Sequence, residues 1–177
     1  MSKKISIIIP RYTIAGVPLA QIRLAKAFSY YGYNVELLIG YVENGSKLPL
    51  LENISILHFN KKKVRNILFP LILYLIKNKP ALMFSAEDHL NICVSIAAMF
   101  SLSNVKLSCS SRVTPYDTYS NKIFSKRWFL KYLNKFTSWR VNVLTCVSED
   151  MVYQYYKIFK NKKYICIYNI VDDHQSR

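Results

Sequence analysis

The sequence predicts an α/β fold: a parallel sheet with helices on both faces. Short β-branched apolar runs alternate with helix-length segments nearly from end to end, as repeated β-α-β units require. The first run, "KISIIIP" at 4–10, is almost continuously apolar, as in a strand covered on both sides. Half of the 177 residues are apolar, enough to fill one core, so 1–177 reads as a single domain.

The elements follow in order. After the first strand, "PRYTIAGVP" at 10–18 turns the chain into a helix over 18–31, where Pro18 suits the first turn. Gly32 fits the left-handed position that ends a helix. Strands follow at 33–40 and 53–59, separated by the loop "ENGSKLP". A helix over 63–78 is interrupted by Pro70, and a strand at 81–86 runs into Glu87, Asp88 and His89. An apolar helix at 89–102, a strand at 105–111 and the loop "RVTPYDTYS" lead to a basic aromatic helix over 121–138. A strand at 141–148, a helix at 149–160 capped by Ser148 above Glu149 and Asp150, and a strand at 163–169 complete the series.

Several classes are excluded by composition. The apolar start ends at Pro10 and Arg11 with no small-residue cleavage site after it, unlike a signal peptide. The longest apolar run, "ILFPLILYLI", falls short of the roughly 20 residues that cross a bilayer. A cytoplasmic protein is expected. Cys93, Cys109, Cys146 and Cys166 show no paired spacing and read as buried free thiols, with neither disulfide nor metal site expected.

Charge is the strongest compositional signal. The net value is +15, with 25 basic against 10 acidic residues. Between Glu52 and Glu87 stand only basic charges, Lys61, Lys62, Lys63, Arg65, Lys77 and Lys79; between Asp117 and Glu149, only Lys122, Lys126, Arg127, Lys131, Lys135 and Arg140. Such fields attract nucleic acid, anionic lipid or phosphorylated substrates. In the helix 121–138, Trp128, Phe129, Tyr132, Phe136 and Trp139 share one arc beside another of Arg127, Lys131 and Lys135. That pattern describes either a core stripe with a solvated flank or a helix at a membrane interface, and the second basic segment favours the membrane. No nucleic acid is expected, because no RNA-binding or helix-turn-helix signature is present.

In a parallel sheet, ligands bind at the carboxyl ends of strands, which singles out loops 11–17, 86–91 and 111–119. Gly16 is one of four glycines. It either eases a tight turn or clears room for a phosphate at a helix N-terminus. Neither a dinucleotide fingerprint nor a P-loop surrounds it. Glu87, Asp88 and His89 offer a general base or a metal site; capping is the plainer reading for the carboxylates, while His89 stays the catalytic candidate. Asn91 is either a cleft residue or an early helical one. Arg112 either binds a phosphate or a loop carbonyl.

The motifs in sequence resemble family 4 glycosyltransferases. "AGVPLAQIRLAKAFSYYGYNVELL" (15–38) resembles the Gly-Gly helix start of that family, with Ala15 in place of the first glycine. "SAEDHLNICVSIAAMFS" (85–101) is similar to its Ser-His-Asn segment, and "VNVLTCVSEDMVYQYYKIFKNKKYICIYNIVD" (141–172) to the passage that closes its N-terminal domain. The resemblance implies a GT-B fold, of which this chain is the Rossmann-like N-terminal, acceptor-binding half, with the C-terminal donor-binding domain absent. It implies that Ala15, Gly16, Asn91 and Arg112 bind substrate, that His89 lies near the transferred sugar, and that no cofactor is needed. The implied partners are a nucleotide-sugar donor and a lipid-linked sugar acceptor, as in capsule, O-antigen, lipopolysaccharide or exopolysaccharide synthesis. Lys61, Lys62, Lys63, Arg65, Lys122, Lys126, Arg127, Lys131 and Lys135 are expected to hold the chain peripherally at the inner face of the cell membrane. The rival expectations are a non-catalytic fragment or partner subunit that binds another chain, membrane or nucleic acid, and a complete small α/β enzyme. The latter is disfavoured because no cofactor loop is present.

Overall fold

The computed structural model describes residues 3–14, 16–43, 46, 48, 51–159 and 163–168. Ala15 and the "NIVD" end of the last quoted passage lie outside the described residues. Seven strands among these residues form one parallel sheet. They are β1 (Lys4–Ile9), β2 (Asn34–Ile39), β3 (Ile54–His58), β4 (Leu82–Ala86), β5 (Lys106–Ser111), β6 (Val143–Cys146) and β7 (Tyr164–Cys166), in the order β3-β2-β1-β4-β5-β6-β7. The order reverses between β1 and β4, and the loops leaving these two strands diverge there to open a crevice.

The helices are α1 (Gly16–Tyr30), α2 (Leu68–Asn78), α3 (Asp88–Phe100), α4 (Pro115–Thr118), α5 (Lys126–Thr137) and α6 (Glu149–Ile158). Alternate strand residues point to opposite faces, and the core divides accordingly. Ile5, Ile7, Ile9, Val35, Leu37 and Ile39 pack with Ile22 and Ala25 of α1. Ile8, Leu38, Met83, Leu107, Cys109 and Leu144 pack with Leu71, Leu75, Val94, Met151 and Tyr155 from α2, α3 and α6. Helices therefore cover both faces, but α1 covers its side over β1 and β2, while Ser108, Ser110, Val143 and Thr145 on that same side are half-buried.

Local chemistry sets the boundaries. α1 ends where Gly32 takes φ +80°, with its N–H bonded to the Ser29 carbonyl and that of Tyr33 to Phe28, a Schellman arrangement. A 3₁₀ turn, Val64–Ile67, leads into α2 and puts Pro70 in the first α-helical turn, where its missing N–H costs nothing. The Ser148 hydroxyl accepts the Met151 N–H at 3.2 Å, as its capping role requires. Sequence reading missed α4, started by Thr114 and Pro115, and set α5 too long: the Ser125 hydroxyl accepts the Trp128 N–H at 3.1 Å and starts that helix. Cys93, Cys109 and Cys146 are buried free thiols, but Cys166 is half-exposed because β7 lies at the sheet edge.

Backbone approaches closely at Gly40, just beyond β2. A Cβ built there would meet the Pro10 carbonyl oxygen at 2.3 Å and Ile67 Cδ1 at 2.5 Å. The Ile67 side chain can yield, but Pro10 is backbone. Gly40→Ala is therefore expected to cost about 1–3 kcal/mol by overpacking, read as a lowered urea midpoint with an unchanged slope.

Candidate functional site

A cleft of about 470 Å³ opens at the reversal point. Its walls are Pro10, Arg11 and Thr13 after β1, Gly16, Val17 and Pro18 of α1, Lys62 and Val64 after β3, and Glu87 and His89 after β4. Backbone hydrogen bonds fasten these loops together. The Gly40 N–H reaches the Ile9 carbonyl at 2.9 Å, and Tyr12 N–H reaches that of Tyr41 at 2.8 Å; Tyr12 and Val42 form a parallel bridge. From the other side, the Lys61 N–H meets the Gly40 carbonyl at 2.6 Å.

Gly16 opens α1, and a Cβ there would meet nothing within 4 Å. Its φ lies outside the left-handed region, so the fold demands neither the missing side chain nor an unusual backbone. Glu87, by contrast, takes φ +80° and ψ +129°, a conformation that strains any residue with a Cβ by roughly 1–3 kcal/mol. Its carboxylate lies 3.2 Å from His89 Nε2, and both side chains are partly exposed at the cleft edge.

Asp88 does not cap α3 with its side chain, as the sequence suggested; it is the helix's first residue and is 6 % exposed. Its carboxylate accepts the Ser111 hydroxyl at 2.8 Å, that of Tyr119 at 2.9 Å and that of Tyr155 at 3.1 Å. Asn134 of α5 donates onward to the Tyr119 oxygen at 2.7 Å. Burial raises the Asp88 pKa above its ordinary value, against the three hydroxyls that favour the charged form. The same burial and the nearby carboxylate push the Tyr119 and Tyr155 hydroxyls upward.

The structure gathers Gly16, His89 and Lys62 around one space. Lys62, grouped by sequence with a membrane patch, stands in the cleft wall, its Nζ 5.2 Å from the centre of the Tyr41 ring. Its place was open to the same strand-end reasoning that picked the other loops, because Lys62 follows β3 at the carboxyl edge. Asn91 does not face the cleft. It is 4 % exposed, accepts the Ser85 hydroxyl at 2.7 Å and donates to the Ser110 carbonyl at 2.9 Å, so it fastens α3 to β4 and β5. Arg112 is half-buried beyond β5 and outside the cleft lining, and burial lowers its pKa.

The basic segments also separate. Lys77 and Lys79 lie at the far end of α2, where Asn78 meets Lys4 at the start of β1, opposite the end that holds Lys61–Arg65. On α5 the buried positions are Asn134 and Thr137, whereas Phe129, Tyr132 and Phe136, and Trp139 in the 3₁₀ turn that follows, are all at least 50 % exposed. Trp128 packs edgewise on Phe129 at 5.0 Å and against Tyr132 at 4.6 Å, building an outward aromatic ridge. Lys126, Arg127 and Lys135 are exposed on the same helix. No helix among the described residues is long and apolar enough to cross a membrane, and among them no three His, Cys, Asp or Glu side chains gather as a metal site needs.

The sequence matches no family model, and no curated protein matches it significantly. Solved structures do. A sucrose-phosphate synthase from Thermosynechococcus elongatus superposes over 94 % of this chain and 48 % of its own, with TM-score 0.69 and 9 % identity. The lipopolysaccharide outer core galactosyltransferase WaaB covers 96 % and 46 %, at 0.65 and 11 %. Anabaena HepE, solved with UDP and glucose, covers 96 % and 45 %, at 0.63 and 18 %. The fold is that of one GT-B half. The chain spans about half the length of these structures, and at such identities the likeness concerns the fold.

Two outcomes follow from this geometry. Gly16→Ala is expected to leave stability unchanged or raise it by about 0.5–1 kcal/mol, read by thermal unfolding, because only a ligand would meet the new methyl. For Asp88, the folded chain holds the proton more tightly than the unfolded chain. Its contribution is complete below the ordinary carboxylate pKa and is lost as pH rises through the raised folded value. Urea midpoints taken from pH 4 to 8 should therefore fall less steeply in Asp88→Asn than in the parent.

Proposed function

We propose that this chain is the N-terminal, acceptor-binding lobe of a retaining glycosyltransferase of family 4 type. The whole enzyme moves a sugar from a nucleotide-sugar to a lipid-linked acceptor in bacterial surface polysaccharide synthesis. The observation that carries the reading is the cleft at the reversal of strand order, with Gly16 bare on one wall and the Glu87–His89 pair on another. A glycine that the fold does not need there is explained by a ligand that does.

In this reading the donor arrives on a second lobe, from a further segment or a separate chain. The acceptor hydroxyl oxygen bonds to the anomeric carbon as the bond to the diphosphate breaks, and the hydroxyl proton leaves with the diphosphate. The first N–H groups of α1 meet the leaving charge without a side chain in the way. His89, oriented by Glu87, touches the transferred sugar. Arg112 stands on the acceptor side, and no cofactor takes part.

The outward aromatics of α5, flanked by Lys122, Lys126, Arg127, Lys131 and Lys135, support docking to anionic lipid at the inner membrane face. Lys61, Lys63 and Arg65 add charge at the cleft end of the molecule. Docking would bring the cleft to an acceptor confined to the bilayer.

Deleting the coding region is expected to leave lipid-linked saccharides one sugar short, detected by mass spectrometry of extracted lipids. The parent sequence should restore the full saccharide and His89→Ala should not. A chain with Lys126, Lys131 and Lys135 all changed to Glu should restore little and sediment less with anionic vesicles. An unaltered saccharide profile on deletion, or equal sedimentation with neutral and anionic vesicles, would count against the corresponding part of the reading.

A further inference from the structure

Two cations in the cleft have no role in the transfer described above. Arg11 leaves β1, and Lys62 sits in a loop bonded to Gly40 through the neighbouring Lys61 N–H. The backbone beside each is hydrogen-bonded to the end of β2, at Ile9 and Tyr12 around Arg11 and at Lys61 before Lys62.

Their present partners are weak. Arg11 Nη1 lies 3.5 Å from Glu43 Oε1, with about half of each side chain in solvent, a geometry in which water screens most of the attraction. Lys62 rests on the Tyr41 ring, and among the described residues no carboxylate lies within 4.0 Å of it. The cleft wall carries one acid, Glu87, its carboxylate 3.2 Å from His89 Nε2. With Arg11 and Lys62 against Glu87, the lining carries more permanent positive than negative charge beside a space of small-molecule size.

The geometry points to a diphosphate subsite in which the Arg11 guanidinium and the Lys62 ammonium share the two phosphates of one ligand. Arg11 supplies a planar fork that matches two phosphate oxygens, and Lys62 a mobile point charge. The Thr13 hydroxyl stands in the same wall as a further donor. This deepens the proposed function and rests on the cleft being the ligand site. Two ligands carry the required chemistry there, the isoprenyl diphosphate of a lipid-linked acceptor and the diphosphate of a nucleotide-sugar.

Titration calorimetry on the 177-residue chain at low salt, with inorganic pyrophosphate, farnesyl diphosphate, farnesol and UDP as probes, tests the subsite and identifies its source. Pyrophosphate should bind, and Lys62→Ala and Arg11→Ala should each weaken it about tenfold, as loss of a charge-assisted contact predicts. Lys77→Ala, which removes an equal charge at the opposite end of the sheet, should leave binding unchanged, and Lys62→Arg should restore most of it. Thermal unfolding checks that each variant stays folded. Farnesyl diphosphate binding well above farnesol and UDP assigns the subsite to the acceptor. UDP binding above farnesyl diphosphate keeps the subsite and assigns it to the donor's diphosphate, overturning its assignment to the acceptor. No binding of pyrophosphate, or equal losses in Lys62→Ala and Lys77→Ala, overturns the subsite itself and leaves the glycosyltransferase reading standing.

Discussion

The close approach of Gly40 to the Pro10 carbonyl is the constraint on which the cleft depends. It lets the end of β2 lie flush against the chain leaving β1, and the loop after β3 then bonds to the Gly40 carbonyl. Three loops that would otherwise sample independent conformations become one wall. Ordering a backbone costs about 1–2 kcal/mol per residue. Loops tied in the folded state have met that cost before a ligand arrives, so less of the binding energy is consumed in arranging them.

The opposite wall is built differently. Glu87 is held in an unfavourable backbone conformation directly beside the buried Asp88. The three hydroxyls on Asp88 come from β5, from the segment after α4 and from α6, so several elements converge on the residue next to the strained one. Such over-determination is what strain needs in order to persist. Through Asn134 and Tyr119 the same network reaches α5, which places the aromatic ridge and the cleft edge on one connected piece of structure.

Much of the fold was legible because it rests on local chemistry. Every expected strand from "KISIIIP" onward exists, and Gly32 and Ser148 end and begin helices as their residue types require. The site was legible only in part. The strand-end rule singled out Gly16, Asp88 and His89 but not the partners of Asp88: Ser111, Tyr119 and Tyr155 are 23, 31 and 67 positions from it, and no short-range pattern links them. The inward place of Asn91 was hidden for a related reason, since its amide bonds Ser85 and Ser110 across two strands. For α5, helical periodicity separated the aromatic arc from the basic one but did not say which arc meets the protein. The polar Asn134 and Thr137 face inward because Asn134 reaches Tyr119 and the Thr137 hydroxyl bonds the Leu133 carbonyl at 2.9 Å.

The uneven helix layers have a mechanical consequence. Where α1 does not reach, β5 and β6 present Ser108, Ser110, Val143 and Thr145 on a surface with little apolar burial behind it, and β7 beyond them is three residues long with Ile165 38 % exposed. The interior of the sheet is anchored instead by fully buried Ile7 and Ile8 in β1 and Leu37, Leu38 and Ile39 in β2, inside the largely exposed edge strand β3. Cohesion is thus graded across the sheet, and amide protons near β7 exchange with water through small local openings long before those of β1 and β2 do.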